Sequence, residues 1–373
     1  MKGFSENYDE IQHAIAFRLC KGVGVYTALK LIEEFGSAQN IYKNYNVKNT
    51  RGSVAERKLS TELKKEEHLK RAEREVEFIL KNKITCFHFL DKNYPKRLKL
   101  CPDAPLILFG KGNLNLNPKL SLAIVGTRNA SEYGKSMCRK IVETLAPFDV
   151  TIYSGLAVGI DKQVHQAALY YKLPTVGVLA HGLDRIYPNS HRKLAIQMLE
   201  KGGLLTEYIT ETIPNRENFP MRNRIVAGMA DAALVVETAT RGGSMITVEL
   251  AHSYNRDVFA IPGRTVDEFS AGCNKLIKTQ KAALVESGED ILYQMGWVKE
   301  ELEKAVVQKQ LFVELNSEEE KIVKLLSTDK PVAFDDLLAE TQMPISKLSS
   351  LLLNLEFKGV TKPMPGKMYA LSY

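Results

Sequence analysis

The middle of the sequence predicts a doubly wound α/β domain, and three observations carry that expectation. Between about 120 and 290, short β-branched apolar runs alternate with stretches of helical periodicity, the pattern of a parallel sheet with helical crossovers. Each run is short and almost continuously apolar, as strands covered on both faces must be. Glycine, hydroxyl and arginine side chains recur just after the runs, at the expected carboxyl ends of the strands, where such sheets bind their ligands.

The N-terminal MKGFSENYDEIQHAI lacks a basic stretch followed by an apolar core, and no apolar run approaches the roughly 20 residues of a membrane span. A soluble, cytoplasmic protein with no membrane partner is expected. Residues 10–45 read as helix, hairpin, helix, helix, hinged at Gly22-Val23-Gly24. Such a hairpin leaves backbone N–H groups at the start of the next helix, where a phosphate can be held. A small all-α domain of helix-hairpin-helix type is therefore expected over 1–70. Residues 60–83 carry mixed charges at i,i+4 spacing and predict a solvated connector helix, leading through 71–110 into the start of the core.

The core is expected over 111–300, with strands at 122–125, 150–153, 175–180, 203–207, 232–237, 257–261 and 282–286. Residues 311–373 read as three helices and a hairpin, the winged-helix pattern. The third helix offers Lys347, Asn354 and Lys358 among leucines and serines, with Glu356 opposing them. That is a poor set for reading a major groove, and a protein-contact or accessory role is expected.

Composition bounds the chemistry only loosely. In 373 residues, 51 Lys+Arg against 44 Asp+Glu give a net charge of +7 and a pI near 8.9, which permits a polyanionic partner without requiring one. Cys20, Cys86, Cys101, Cys138 and Cys273 form no C-x-x-C pair and have no His at ligand spacing, so neither a metal site nor a disulfide framework is signalled.

Four loops after strands carry the candidate site. The first, 126–134, has Gly126 for close backbone approach, Thr127 and Asn129 as short donors and Arg128 as a phosphate fork. It is neither G-x-G-x-x-G nor a Walker A loop, so no cofactor, NAD or ATP, is expected. The second, 154–161, sets Ser154 beside Gly155 and Gly159, a pattern that permits a nest of inward N–H groups, with Asp161 suited to cap the next helix. Ser154, Asp161 and His165 lack the elbow that presents a nucleophilic serine. The third, 180–188, adds Arg185 and Tyr187, and the fourth, 237–247, adds Arg241, Gly242, Gly243 and Ser244 ahead of Glu249.

The run NFPMRNRIVAG at 218–228 adds a different chemistry. Phe219 stands among Arg216, Arg222 and Arg224 just ahead of an apolar helix, and a flat ring beside fixed cations suits a single nucleic-acid strand, which offers π-faces and phosphates. Asn223 is expected to orient the loop through its amide, and Arg224, further into the helix, to serve a structural ion pair.

The ordered series AIVGTRNASEYG, YSGLAVGID, GVLAHGLDRIYP, NFPMRNRIVAG, GGSMIT, RDVFAIPG and GCNKLI resembles the DNA-processing protein A (DprA/Smf) family over about 85–290. The flanking units are similar to that family's accessory domains, including its SAM-like N-terminal helices. The resemblance implies an extended Rossmann-like core that binds single-stranded DNA without catalysis, dimerises, and loads the RecA recombinase onto incoming DNA in natural transformation. Carried over by residue, the phosphate-contacting arginine falls on Arg128, the serine-glycine nest on Ser154 and Gly155, and the base-stacking aromatic on Phe219. Arg216 stands where the family usually has lysine, and Gly242-Gly243-Ser244 where it usually has Ser-Gly-Ser. The family's dimer contact maps to about 270–292. The expected site is thus Gly126, Thr127, Arg128, Ser154, Gly155, Gly159, Arg185, Arg216, Phe219, Arg222, Asn223 and Ser244. A competing enzyme class, nucleotide phosphoribohydrolases of the lysine-decarboxylase-like group, carries P-G-G-x-G-T-x-x-E. Residues 241–249, RGGSMITVE, keep its two glycines and Glu249 but lose the proline and the Gly-Thr pair.

Overall fold

The computed structural model describes residues 8–45, 53–297, 315–326, 331–358, 360–364 and 366–371. The first seven residues, read above for a leader, lie outside the described residues, as do the domain limits expected at 300 and 311. The chain divides into two compact units, Met1–Trp297 and Val298–Tyr373, each taken by itself.

The first unit is built on a nine-stranded sheet: β1 (Thr85–His88), β2 (Ile107–Gly112), β3 (Ser121–Val125), β4 (Thr151–Ser154), β5 (Thr175–Val178), β6 (Gly202–Thr206), β7 (Ala232–Val235), β8 (Asp257–Ala260) and β9 (Ala283–Leu284), in the order β1-β2-β6-β5-β4-β3-β7-β8-β9. All seven expected strands are present, most of them trimmed at one or both ends, and they pair in parallel. The chain winds from β3 outward to β6, then returns to β7 on the other side of β3. That reversal places a crevice at the carboxyl ends of the central strands. β1 and β2 are an addition to the expected sheet, and β2 runs antiparallel to both of its neighbours.

Two cores flank the sheet. Ala123, Val125, Tyr153, Val176 and Val178 face one way with Ile225, Val226 and Val248, and Leu122, Ile124 and Ile152 face the other with Ile141, Val142, Ile160 and Val164. Alternate residues of each strand thus feed opposite cores, the physical reason for the continuous apolar runs.

The helical layer comprises α1 (Tyr8–Leu19), α2 (Val25–Phe35), α3 (Ala38–Asn44), α4 (Val54–Leu63) and α5 (Glu66–Asn82). The hinge is as expected, with Gly22 at φ +89° and Gly24 preceding α2. The connector is not. The single solvated helix expected over 60–83 breaks at Lys64 and Lys65, and α5 buries Ala72 and Ile79 in a cluster with Ile11, Ile15, Ile107 and Phe109. Leu69, Ala72, Val76 and Ile79 recur at three- and four-residue spacing among the charges, and that stripe docks the helix. The layer is also tied to the sheet electrostatically, since Arg18 on α1 reaches Glu207 after β6 at 3.2 Å. Buried Arg224 grips the same carboxylate at 2.5 Å, the structural ion pair expected of it.

Further along the chain come α6 (Lys96–Lys99), α7 (Glu132–Leu145), α8 (Ile160–Tyr170), α9 (Arg192–Met198), α10 (Asn218–Met229), α11 (Ser244–Ser253), α12 (Ala271–Lys278) and α13 (Gly288–Gln294). No helix among the described residues is long and apolar enough to cross a membrane.

The second unit has α14 (Ser317–Leu325), α15 (Phe334–Thr341) and α16 (Ile345–Phe357) around Ile322, Leu337, Leu348, Leu352 and Leu355. Its strands β10 (Val332–Ala333), β11 (Thr361–Met364) and β12 (Met368–Leu371) pair in the order β10-β12-β11, completing a winged-helix domain. Both lysines of its third helix region are engaged with α14, Lys347 with Glu318 at 2.5 Å and Lys358 with Glu319 at 2.7 Å. The outer face of α16 shows Ile345, Leu353 and Phe357 to solvent.

Burial gives His165 a readable effect on stability. His165 on α8 is fully enclosed, its Nδ1 2.7 Å from Thr175 Oγ1, and burial, followed by the charges of Arg222 and His191, pushes its pKa down to about 3. The unfolded chain therefore takes up a proton that the folded chain refuses, so stability present above pH 6.5 falls as pH drops toward 3. His165→Phe should shrink the loss of urea stability between pH 7 and pH 4.5 by about 2 kcal/mol. An unchanged loss would show that His165 charges freely in the fold.

Candidate functional site

The loops at the carboxyl ends of β3, β4 and β5 pack on one another before they offer anything to a ligand. Thr127 N–H donates to Glu237 O at 2.7 Å, and Ile160 N–H donates to Thr127 O at 3.1 Å, pinning the first loop between β7 and α8. A Cβ on Gly126 would meet the Ile160 side chain at 2.5 Å, and Gly159, at φ +85°, lies directly against the Thr127 and Arg128 backbone. These two glycines are required by close packing.

Both expected anion turns are filled by the protein's own carboxylates. At the start of α7, Glu237 accepts from Ser131 N–H at 3.0 Å and from its hydroxyl. In the second loop, Asp161 accepts from Ala157 N–H at 3.2 Å and from the Gly155 N–H. The open nest of N–H groups expected at Gly155 and Gly159 is thus corrected on its Gly155 side: Asp161 takes the Gly155 and Ala157 N–H groups. Burial raises the Asp161 pKa above the usual carboxylate range, and Arg222 and these N–H donors act against that rise.

Arg222 requires the larger correction. It is 4% exposed, and its Nη1 donates to Gly155 O at 2.6 Å and to Val178 O, while Nε donates to Asn223 Oδ1 at 3.2 Å. Expected on a phosphate, it instead ties the ends of β4 and β5 together, with Asn223 orienting it. A Cβ on Gly155 would collide with its guanidinium. Ser154 is enclosed and donates to Ile124 O at 2.7 Å, and buried Ser244 donates to Thr238 Oγ1 at 2.7 Å. Neither hydroxyl is offered to a ligand, because each satisfies a neighbouring oxygen in the packed interior. With Ser154 on Ile124 and His165 on Thr175, no serine-histidine pair exists there.

What stays open is an aromatic and cationic rim. The exposed Arg128 guanidinium lies 5.1 Å over the Phe219 ring, within cation–π range, and Phe219 lies 6.2 Å from Tyr187 at 55°. These side chains line a cavity with Gly155, Val158, Leu179 and His181. Arg216 is exposed just before α10. Arg185 is partly exposed and paired with Asp184 at 2.7 Å. The structure therefore unites Arg128, Gly155 and Phe219, brings Arg216 to the start of the same helix, and sets Gly126, Thr127, Gly159, Ser154, Arg222, Asn223 and Ser244 behind them as framework. His181 was missed in the sequence, where a histidine in a strand-end loop carries no signal of its burial. Tyr187 was legible as an aromatic in an arginine-bearing loop.

Fold and rim together define a doubly wound α/β protein whose crevice presents rings and guanidinium groups in place of a pyrophosphate turn. The chain belongs to the DNA recombination-mediator protein A family, whose model matches residues 85–296, and a DprA winged helix domain matches 310–367. It is 41% identical over 210 residues to the DNA processing protein DprA of Streptococcus pneumoniae, covering 56% of this chain and 74% of that protein. The X-ray structure of DNA processing protein A from Streptococcus pneumoniae is similar, with a TM-score of 0.64 and 33% identity over 78% of this chain and 98% of that one. DNA processing protein A from Helicobacter pylori, whose structure concerns its single-stranded DNA binding mode, matches with a TM-score of 0.52 and 26% identity over 57% of this chain and 95% of its own.

Because Arg222 satisfies two strand-end carbonyls and faces buried Asp161, Arg222→Ala should cost roughly 3 kcal/mol in urea unfolding. A variant as stable as wild type would return Arg222 to the list of ligand contacts.

Proposed function

We propose that the crevice holds single-stranded DNA without catalysis. The observation that carries this reading is the exposed guanidinium of Arg128 set over the Phe219 ring at the mouth of a cavity. The single-stranded DNA binding of the Helicobacter pylori relative supports it. Phe219 stacks a base, Arg128 and Arg216 meet successive phosphates, and Arg185, once released from Asp184, extends the cationic path. An arriving base takes the place of Arg128 on the ring and frees that guanidinium for the linkage.

On this reading the protein acts in the cytoplasm, protects incoming DNA and loads RecA recombinase in natural transformation, working as a homodimer. The edge strand β9 supports the dimer assignment to 270–292, since its Leu284 is exposed at the rim of the sheet and Tyr293 beyond it is 81% exposed. The winged-helix unit serves as a protein contact through the outer face of α16. The hydrolase alternative is disfavoured by Glu249, which faces solvent in an ion pair with Lys281 at 2.8 Å and does not line the cavity.

Fluorescence anisotropy with a single-stranded oligonucleotide over a salt series tests the site. Phe219→Ala should weaken binding by about 5- to 100-fold with its salt slope unchanged. Arg128→Ala should flatten that slope by about 0.7 log units. Both variants binding like wild type would sink the assignment, and nucleobase release from nucleoside monophosphates that is lost in Glu249→Gln would favour the enzyme.

A further inference from the structure

At the floor of the crevice, His181 follows β5 and is 2% exposed. Its Nδ1 lies 2.9 Å from Gly182 O. A carbonyl only accepts, so Nδ1 carries the ring proton and Nε2 is left as a lone-pair acceptor. That Nε2 is buried and without a hydrogen-bond partner among the described residues. Burial, followed by smaller opposing influences from the Gly182 carbonyl and Asp184 on one side and Arg185 and Arg222 on the other, lowers the ring's pKa below its usual value, which keeps it neutral near pH 7.

An orphaned acceptor in a protein interior calls for an explanation. His165 Nε2 is orphaned as well, and His88 Nε2 has only Glu10 Oε1 at 3.6 Å, but neither residue lines the cavity, whereas His181 does, together with Phe219, Tyr187, Val158 and Leu179. Aromatic and aliphatic walls, with the Arg128 guanidinium at the mouth and the His181 imidazole as the side-chain acceptor among the lining residues, match a nucleobase: the faces take the walls, and the edge brings an N–H to the imidazole. Phosphate fits poorly there, because an anion has no proton to give to a neutral imidazole nitrogen.

We propose that His181 Nε2 accepts a hydrogen bond from the edge N–H of a base stacked on Phe219, so that the crevice favours bases carrying a donor on that edge. The inference rests on the single-strand reading above and adds base selection to it. Thymine and guanine present a ring N–H, and adenine and cytosine an amino group, so natural strands all bind, while a base whose edge donor is blocked is disfavoured.

The test uses the full chain and two probes, oligothymidylate and the same oligonucleotide methylated at N3 of every thymine. Wild type should bind the methylated strand about three- to tenfold more weakly, the range one hydrogen bond contributes. His181→Phe should bind both strands alike, near the wild-type affinity for the methylated one and with the wild-type salt slope. His181→Gln, which restores an acceptor, should recover part of the discrimination. Equal wild-type binding of the two probes would overturn the proposal, meaning that Nε2 holds only a water. So would an equal penalty in wild type and His181→Phe, which would mark a methyl clash. Either result leaves the single-strand reading standing as long as Phe219→Ala weakens binding, whereas no binding of either probe removes that reading itself.

Discussion

The buried guanidinium of Arg222 is the contact on which the crevice depends. β4 and β5 end side by side, and the Gly155 and Val178 carbonyls there need partners from outside the ladder. A buried carbonyl without a partner costs free energy comparable to a lost hydrogen bond, and Arg222 answers two of them, Gly155 O and Val178 O. Its own charge is then the problem, and Asp161 on α8 supplies the opposing one. The pair requires room, which explains Gly155: the guanidinium occupies the space a Cβ would need. The same logic operates one loop away, where the Glu237 carboxylate stands where a Cβ of Gly134 would be.

These internal charges decide which ligands the sheet can take. A dinucleotide site needs a free helix start with unpaired N–H groups for a pyrophosphate. Here the start of α7 is taken by Glu237, and the loop before α8 by Asp161. On the proposed reading phosphates are left to the rim, where Arg128 and Arg216 stand exposed beside the Phe219 ring. Spaced cations around a stacking surface suit an extended strand better than a compact diphosphate, and the proposed reading follows from that displacement of charge from the floor of the crevice to its edge.

The sheet was largely legible because buried parallel strands leave continuous apolar runs, and all seven runs became strands. β1 and β2 were not foreseen, since they precede the regular alternation and pair antiparallel at the far edge. The docking of α5 was hidden for a different reason: its stripe of Leu69, Ala72, Val76 and Ile79 is diluted by charges that decorate the other faces. Within the site, the structure keeps the aromatic and the rim arginine at the cavity, and Arg224 stood apart by its place further into the helix, but Arg222 could not be told from Arg128 in the sequence. Only the packing of α10 against the strand ends turns Arg222 inward while Arg128 stays on an exposed loop.

The ring and the rim cation satisfy each other, and on the proposed reading this sets how a strand enters. A cation–π contact at a site as exposed as Arg128 is worth about 0.5–1 kcal/mol, whereas stacking a base on an aromatic contributes about 1–3 kcal/mol. On the proposed reading, the ring's own contacts therefore favour a base over the guanidinium before any phosphate is counted, and the guanidinium so released meets the linkage of the stacked nucleotide. On the proposed reading one side chain thus covers the ring before a strand arrives and binds the backbone afterwards, which couples stacking to phosphate contact at a single nucleotide.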